Sequence, residues 1–215
     1  VTTSRVESEL KYAAADDGPL DALAEAPALG PAALGRPRGV DELDRYLDTA
    51  DLRLAAVRWA CRLREREGRR ILSMKGPAEH EATDAIHRRR EVEGIAGAGL
   101  IPSDWPPSTA RDLLVELSGG APLLERLTLA QHRIERRVTV AGAPIGLLSL
   151  DRSRVLHRAR ELGVLRVVEL EFGSEALAAG LDPDSLAAAL DAVPGLVRDP
   201  LTKLERALAL VAAAR

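Results

Sequence analysis

Apolar side chains recur at every second position over 5–13, 40–48, 57–67, 70–75, 87–95, 131–140, 144–152 and 164–173. A two-residue period marks a β-strand whose two faces meet different surroundings, so eight strands are expected. Between them Leu- and Ala-rich stretches predict helices over 20–25, 51–56 and 108–117. Two more open on Asp182-Pro183, running to 193, and on Asp199-Pro200, running to 213, because aspartate caps a helix and proline fits its first turn. Glycine and proline mark loops over 27–39, 101–107 and 119–122 and a hairpin turn over 140–144. With no linker, low-complexity tract or solenoid-length repeat, residues 1–215 are expected to form one α+β domain of antiparallel strands with helices outside.

The polar halves of these alternations are charged in compact sets. Glu7, Glu9 and Lys11 share one face of their strand, as do Arg62, Arg64 and Arg66, then Ser73 and Lys75, then Arg89, Glu91 and Glu93, then Arg133, Glu135 and Arg137, and finally Glu169 and Glu171. Glutamate and lysine are depleted in strands, so their placement needs a cause. A solvated face explains any one strand. Across six strands the opposite faces, carrying Leu10, Leu63, Met74, Val92, Ile134 and Leu170, already supply a surface for helices to cover. A sheet packed outside and charged inside can close into a barrel with a polar lumen. Arginine and lysine there suit phosphate oxygens through charge-assisted hydrogen bonds, while Glu-x-Glu pairs suit hard divalent cations. A phosphate chain bound with divalent metal meets both demands.

Composition narrows the partners. Lys plus Arg number 30 against 33 Asp plus Glu, a net charge of -3, and aromatic residues make up 2%, which argues against nucleic acid held by bulk basicity or by base stacking. Arg88-Arg89-Arg90 is a short run that alternation splits between two faces. The longest apolar run, 207–214, is too short to span a bilayer, and Arg5, Glu7 and Glu9 stand where a signal peptide needs apolar residues. A soluble protein with no membrane partner is expected. The single cysteine, Cys61, excludes an internal disulfide, predicts a reducing, cytoplasmic setting, and reads as inert packing. His80, His87 and His157 match no zinc spacing and read as solvated residues.

Several segments in order resemble the CYTH superfamily, the triphosphate tunnel metalloenzymes named for class IV adenylate cyclase and thiamine triphosphatase. Val6-Glu7-Ser8-Glu9-Leu10-Lys11 resembles the N-terminal Glu-x-Glu-x-Lys signature, Tyr46-Leu47-Asp48-Thr49-Ala50-Asp51 the Tyr-Phe-Asp-Thr-Pro-Asp segment, and Arg62-Leu63-Arg64 the Arg-x-Arg strand. Met74-Lys75, Arg89-Arg90-Glu91, Asp151-Arg152, Glu169-Leu170-Glu171 and Thr202-Lys203 follow in the family's order. The likeness runs from about Arg5 to Leu208 and is strongest to the domain that precedes a helical CHAD domain in bacterial proteins. Cys61, Ala50 and Thr202 depart from the usual Leu, Pro and Ser without removing a charge, and Gln131-His132-Arg133 matches only through its arginine.

The resemblance implies an eight-stranded antiparallel tunnel acting on a linear triphosphate with Mg2+ or Mn2+. Carried over by position, Glu7, Glu9, Asp151, Glu169 and Glu171 hold metal, and Lys11, Arg62, Arg64, Lys75, Arg89, Arg133 and Lys203 hold phosphate. Glu7, Glu9, Lys11 and Glu91 form the catalytic set. Hydrolysis of inorganic triphosphate is the expected activity, because the aromatic residues reckoned toward the tunnel to stack a base or thiazole are few, Tyr12 and Tyr46, with Trp59 and Trp105 able to reach the mouth. A polyphosphate-binding module without turnover, a thiamine triphosphatase and a class IV cyclase remain alternatives. A second copy of the chain and a CHAD domain are the candidate protein partners.

Overall fold

A computed structural model describes residues 3–79 and 86–214, which places His80 outside the described residues. Its strands are β1 (Thr3–Ala14), β2 (Ala28–Leu29), β3 (Ala32–Leu34), β4 (Arg38–Thr49), β5 (Ala60–Arg66), β6 (Arg69–Glu79), β7 (His87–Ile95), β8 (Leu123–Val140), β9 (Ala143–His157), β10 (Arg160–Phe172) and β11 (Leu196–Arg198). The helices are α1 (Gly18–Glu25), α2 (Arg53–Ala56), α3 (Thr109–Ser118), α4 (Ser174–Ala178), α5 (Asp184–Asp191) and α6 (Lys203–Ala213). Eight strands pair in the order β8-β4-β5-β6-β7-β1-β10-β9, and β9 pairs again with β8, so the antiparallel sheet closes into a barrel. These are the eight strands expected from alternation.

Closure follows from tight turns. The β5–β6, β8–β9 and β9–β10 connections are two-residue turns at Glu67-Gly68, Ala141-Gly142 and Arg158-Ala159, all with positive φ. That is the geometry that matches the twist of paired strands.

The apolar half of each alternation faces outward under the helices. Leu10, Leu148, Leu150 and Leu170 pack with Leu20 of α1 and Leu186 and Leu190 of α5. Leu63, Leu72, Met74 and Val92 pack with Trp105 and with Ala110 and Leu114 of α3. Leu127, Leu129 and Val155 pack under Ala207 and Val211 of α6. Each such buried side chain contributes about 1.5–3 kcal/mol. Cys61 belongs to the second cluster, where burial pushes its thiol pKa up, in keeping with inert packing.

Four expectations are corrected. The supposed loop 27–39 holds the β2–β3 hairpin and the start of β4, because two- and three-residue strands are too short to show alternation. Strand β8 begins at Leu123 rather than 131, and β9 continues to His157, since their extra turns carry mixed residues on both faces. The last helix starts at Lys203. Its cap is Thr202, in a capping box with Glu205, while Asp199 is buried and paired with Arg206. Arg137 is exposed instead of joining Arg133 and Glu135, and its neighbour Arg136 is the buried one. The Arg136 guanidinium donates to the carbonyl oxygens of Leu23, Ala24, Ala26, Leu34 and Gly35 at 2.6–3.1 Å, tying the end of α1 and the β2–β3 hairpin to β8.

Candidate functional site

Register sets opposite charges side by side on adjacent strands of the lumen wall. In the β1–β7 pair Arg5 stands opposite Glu91 and Glu7 opposite Arg89; in the β1–β10 pair Lys11 stands opposite Glu169. Lys203 arrives from outside the sheet. A lysine in the first turn of a helix meets an unfavourable dipole, and here Asp151, hydrogen-bonded to its Nζ, and Glu169 at 2.7 Å offset it.

Thirteen side chains expected from sequence converge on this lumen: Glu7, Glu9, Lys11, Arg62, Arg64, Lys75, Arg89, Glu91, Arg133, Asp151, Glu169, Glu171 and Lys203. Glu7 accepts from Lys75 Nζ at 2.9 Å and Arg89 Nε at 2.7 Å. Arg133 donates to both oxygens of Asp151 at 2.7 Å. Burial alone would raise these carboxyl pKa values, but Lys75 and Arg89 hold Glu7 well below the usual range. Lys203, Lys11 and Arg133 do the same for Glu169, and Arg133 and Lys203 for Asp151. Glu171 is pushed up instead, by burial against the pull of Arg5. Burial, with Arg89 nearby, lowers Lys75, whereas Asp151 and Glu169 outweigh burial and raise Lys203.

Sequence reasoning missed Glu42 and Asp44 of β4. Both are buried, and Asp44 accepts from Arg64 Nε and Nη2 at 2.7 Å each, while Gln131 Nε2 donates to Glu42 at 2.8 Å. Glu42, Asp44 and Tyr46 carry the same two-residue charged or polar alternation, yet Asp41 and Arg45 on the other face obscured it. Asp48, in contrast, serves the fold by accepting from the backbone N–H groups of Thr49, Leu54 and Ala55 around α2.

The lumen opens at one end into a cavity of about 370 Å³. Its inner wall carries Glu9, Lys11, Tyr46, Arg62, Lys75, Arg89, Glu169 and Lys203, and its outer wall Leu52, Ala55, Trp59, Leu204 and Leu208, with Arg58, His87, Arg88 and Arg126 also lining it. His87 is therefore not a solvated loop residue: it opens β7, opposite Glu9. Tyr12 leaves the lumen altogether, since its hydroxyl donates to Ala187 O and Asp191 on the outside, and Trp105 is core. Trp59 is the indole at the mouth, with Arg90 about 6.0 Å over its ring.

On the inner wall Glu9 Oε1 lies 2.9 Å from Lys11 Nζ and 3.6 Å from Arg89 Nη2, whereas the buried Arg62 Nε–H lacks a hydrogen-bond partner among the described residues. Among the described residues no three acidic or histidine side chains stand together as a ready-made metal centre, because lysines and arginines separate the carboxylates. Among the described residues, ion pairs join the lumen cations Arg5, Lys11, Arg62, Arg64, Arg66, Lys75, Arg89, Arg133 and Lys203 to Glu7, Glu9, Glu42, Asp44, Glu91, Glu135, Asp151, Glu169 and Glu171, and Glu93, which accepts from Ser73 Oγ at 2.6 Å, adds a further acid to that face. An interior whose cations are already matched by carboxylates takes in a polyanion only if cations or protons enter with it. A donor set made of carboxylates thus fits a hard divalent ion arriving together with phosphate.

The model of the CYTH domain family matches residues 6–206. The chain belongs to the CYTH domain family. The resemblance seen in the motifs is thereby borne out over nearly the full length. This CYTH chain is 27% identical over 119 residues to “Putative triphosphatase YjbK” of Bacillus subtilis (strain 168), a match spanning 55% of the chain and 57% of that protein. Among solved structures, the Hippeastrum protein described as “Putative adenylyl cyclase HpAC1”, with a dominant triphosphatase activity, superposes with a TM-score of 0.69 at 19% identity, covering 94% of this chain and 95% of that one. A Bacillus halodurans protein described as a “putative adenylate cyclase” gives 0.60 at 20% identity, covering 94% and 97%. At such identities the likeness is one of fold. Among the described residues no CYTH-chain helix is long and apolar enough to cross a membrane.

Proposed function

We propose that this CYTH chain, acting as one tunnel domain, hydrolyses a linear triphosphate with Mg2+ or Mn2+, inorganic triphosphate being the first substrate to test. The observation that carries the reading is the inner cavity wall, where Lys11, Arg62, Lys75, Arg89 and Lys203 converge from four strands and a helix on about 370 Å³. Phosphoryl transfer asks little covalent chemistry of a protein; it needs the chain held in line and its developing charge stabilised. Arg62, with its unused Nε–H, and Arg89 supply forked donors, and Lys75 and Lys203 supply point charges. Glu7, Glu9, Asp151, Glu169 and Glu171 are the proposed metal ligands, and the ion they would hold would supply positive charge that offsets the charge of the phosphate chain. Glu91, held ionised by Lys75 despite its burial, is a further carboxylate able to join the metal ligands or to orient an attacking water by accepting its hydrogen bond. A cytoplasmic setting fits a chain whose single cysteine is free and buried.

A second reading, an organic triphosphate, is favoured by Trp59, Leu52, Ala55, Leu204 and Leu208 on the outer wall, which give a base or thiazole ring an apolar seat. Phosphate release from inorganic triphosphate, ATP and thiamine triphosphate, with and without Mg2+ or Mn2+, tests both readings. Metal-dependent release that Glu9→Gln abolishes supports hydrolysis, and a preference for an organic substrate selects the second reading. Binding of long-chain polyphosphate without release from any substrate would replace turnover with a binding module.

A further inference from the structure

At the opposite end from the cavity, β1 begins with Arg5 on the same face as Glu7 and Glu9. Its guanidinium reaches two carboxylates on different strands. Nε and Nη2 donate to Glu91 Oε2 of β7 at 3.2 and 2.8 Å, and Nη1 donates to Glu171 Oε1 of β10 at 2.5 Å. Glu91 has other counter-ions in Lys75 at 3.0 Å and Arg62 at 3.7 Å. For Glu171 the ion pair is with Arg5, and its further charged neighbours are the carboxylates Glu7 and Glu91 and the ammonium of Lys75. One cation therefore holds together two like charges, in the manner of a metal ion bridging carboxylates.

We propose that Arg5 is an intramolecular stand-in for the divalent cation: its fork bridges Glu91 and Glu171, and it must swing into solvent before a metal ion can take those carboxylates. The inference rests on the reading of Glu171 as a metal ligand. Its physical basis is competition for the same oxygens, Glu91 Oε2 and Glu171 Oε1, with hard carboxylates preferring a divalent ion. Displacement is feasible because the Arg5 side chain is 48% exposed, whereas Glu91 is 1% exposed and stays in place. Arg5 thereby neutralises Glu91 and Glu171 until metal enters.

Calorimetric titration of Mn2+ into the substrate-free protein tests this. Arg5→Gln removes the competitor and is expected to bind Mn2+ about tenfold more tightly than wild type, with Arg5→Lys in between. Glu171→Gln should lose affinity, and Arg45→Gln, which breaks a pair with Glu125 outside the lumen, should leave it unchanged. Equal or weaker binding by Arg5→Gln, with affinity still lost in Glu171→Gln, overturns the role of Arg5 alone. Unchanged affinity in Glu171→Gln, or no Mn2+ binding by wild type and Arg5→Gln alike, overturns the metal assignment beneath it as well. Should Arg5→Gln fail to fold, the Arg5 Nε–Hε resonance, identified by its loss in Arg5→Lys, serves instead. It should shift on adding Mg2+, and an unmoved signal at saturation refutes displacement.

Discussion

Asp44→Ala isolates the carboxylate on which the arginine strand depends. Both Asp44 oxygens accept from Arg64 at 2.7 Å, Arg62 Nη1 stands 3.5 Å away, and the residue is 1% exposed. Removing one partner of a buried ion pair costs about 3–5 kcal/mol, because the surviving charge stays in a poorly solvating place. Glu42 Oε2, 3.0 Å from Arg64 Nη2, remains to compensate in part, so the loss should fall near the low end, about 3 kcal/mol. For a domain of this size that lowers the melting temperature by roughly 6–12 °C. Urea unfolding followed by circular dichroism gives the free energy directly, and Asp44→Asn, which keeps the shape and one acceptor, should lose less. A loss under about 1 kcal/mol for Asp44→Ala would show that the lumen is solvated enough to dispense with the pair and would refute the reasoning.

Three further outcomes follow from the same geometry. Glu7, Asp44, Glu91, Asp151 and Glu169 are held below their ordinary pKa values of 4.5 and 3.8 by neighbouring cations, so their stabilisation is present above those values and is lost as pH falls below them. The melting temperature should therefore hold from neutrality to about pH 5 and fall steeply below it, and a flat profile down to pH 2 contradicts the assignment. Arg136→Met leaves several carbonyl groups of α1 and the β2–β3 region without a donor, at about 1–3 kcal/mol each where buried, and should unfold at clearly lower urea; parity with wild type denies the tie. Trp59→Ala should leave KM for inorganic triphosphate unchanged and raise it up to about tenfold for ATP or thiamine triphosphate, while equal effects on all three place the indole outside substrate recognition.

The barrel was legible because a two-residue charged alternation has few uses in a strand other than a wet face or a lumen, and Glu7-Ser8-Glu9-Leu10-Lys11 shows it cleanly. Family order then located the cations and carboxylates that the structure gathers. Glu42 and Asp44 escaped because β4 is charged on both faces, so periodicity alone does not say which one turns inward. Arg5 escaped for another reason: a side chain at the start of a strand reads as solvated, and only the closure of β1 against both β7 and β10 reveals that it spans them. Asp199-Pro200 misled because the cap it promised is made by Thr202, leaving Asp199 to pair with Arg206. Charge removal at the two N-terminal glutamates is not equivalent: Glu7 neutralises Lys75 at 2.9 Å and Arg89 at 2.7 Å, whereas Glu9 neutralises Lys11 at 2.9 Å and stands farther, at 3.6 Å, from Arg89.

If the lumen cations hold triphosphate, removing two of them must cost affinity. Calorimetric titration of inorganic triphosphate with Mg2+ into wild type and into the Arg62→Gln/Lys75→Gln double variant tests it most directly. Wild type should bind one triphosphate per chain. Each charge-assisted contact is worth about 1.5–3 kcal/mol, so the folded double variant should bind at least ~100-fold more weakly. Equal affinity in the two proteins would place the triphosphate elsewhere and contradict the account.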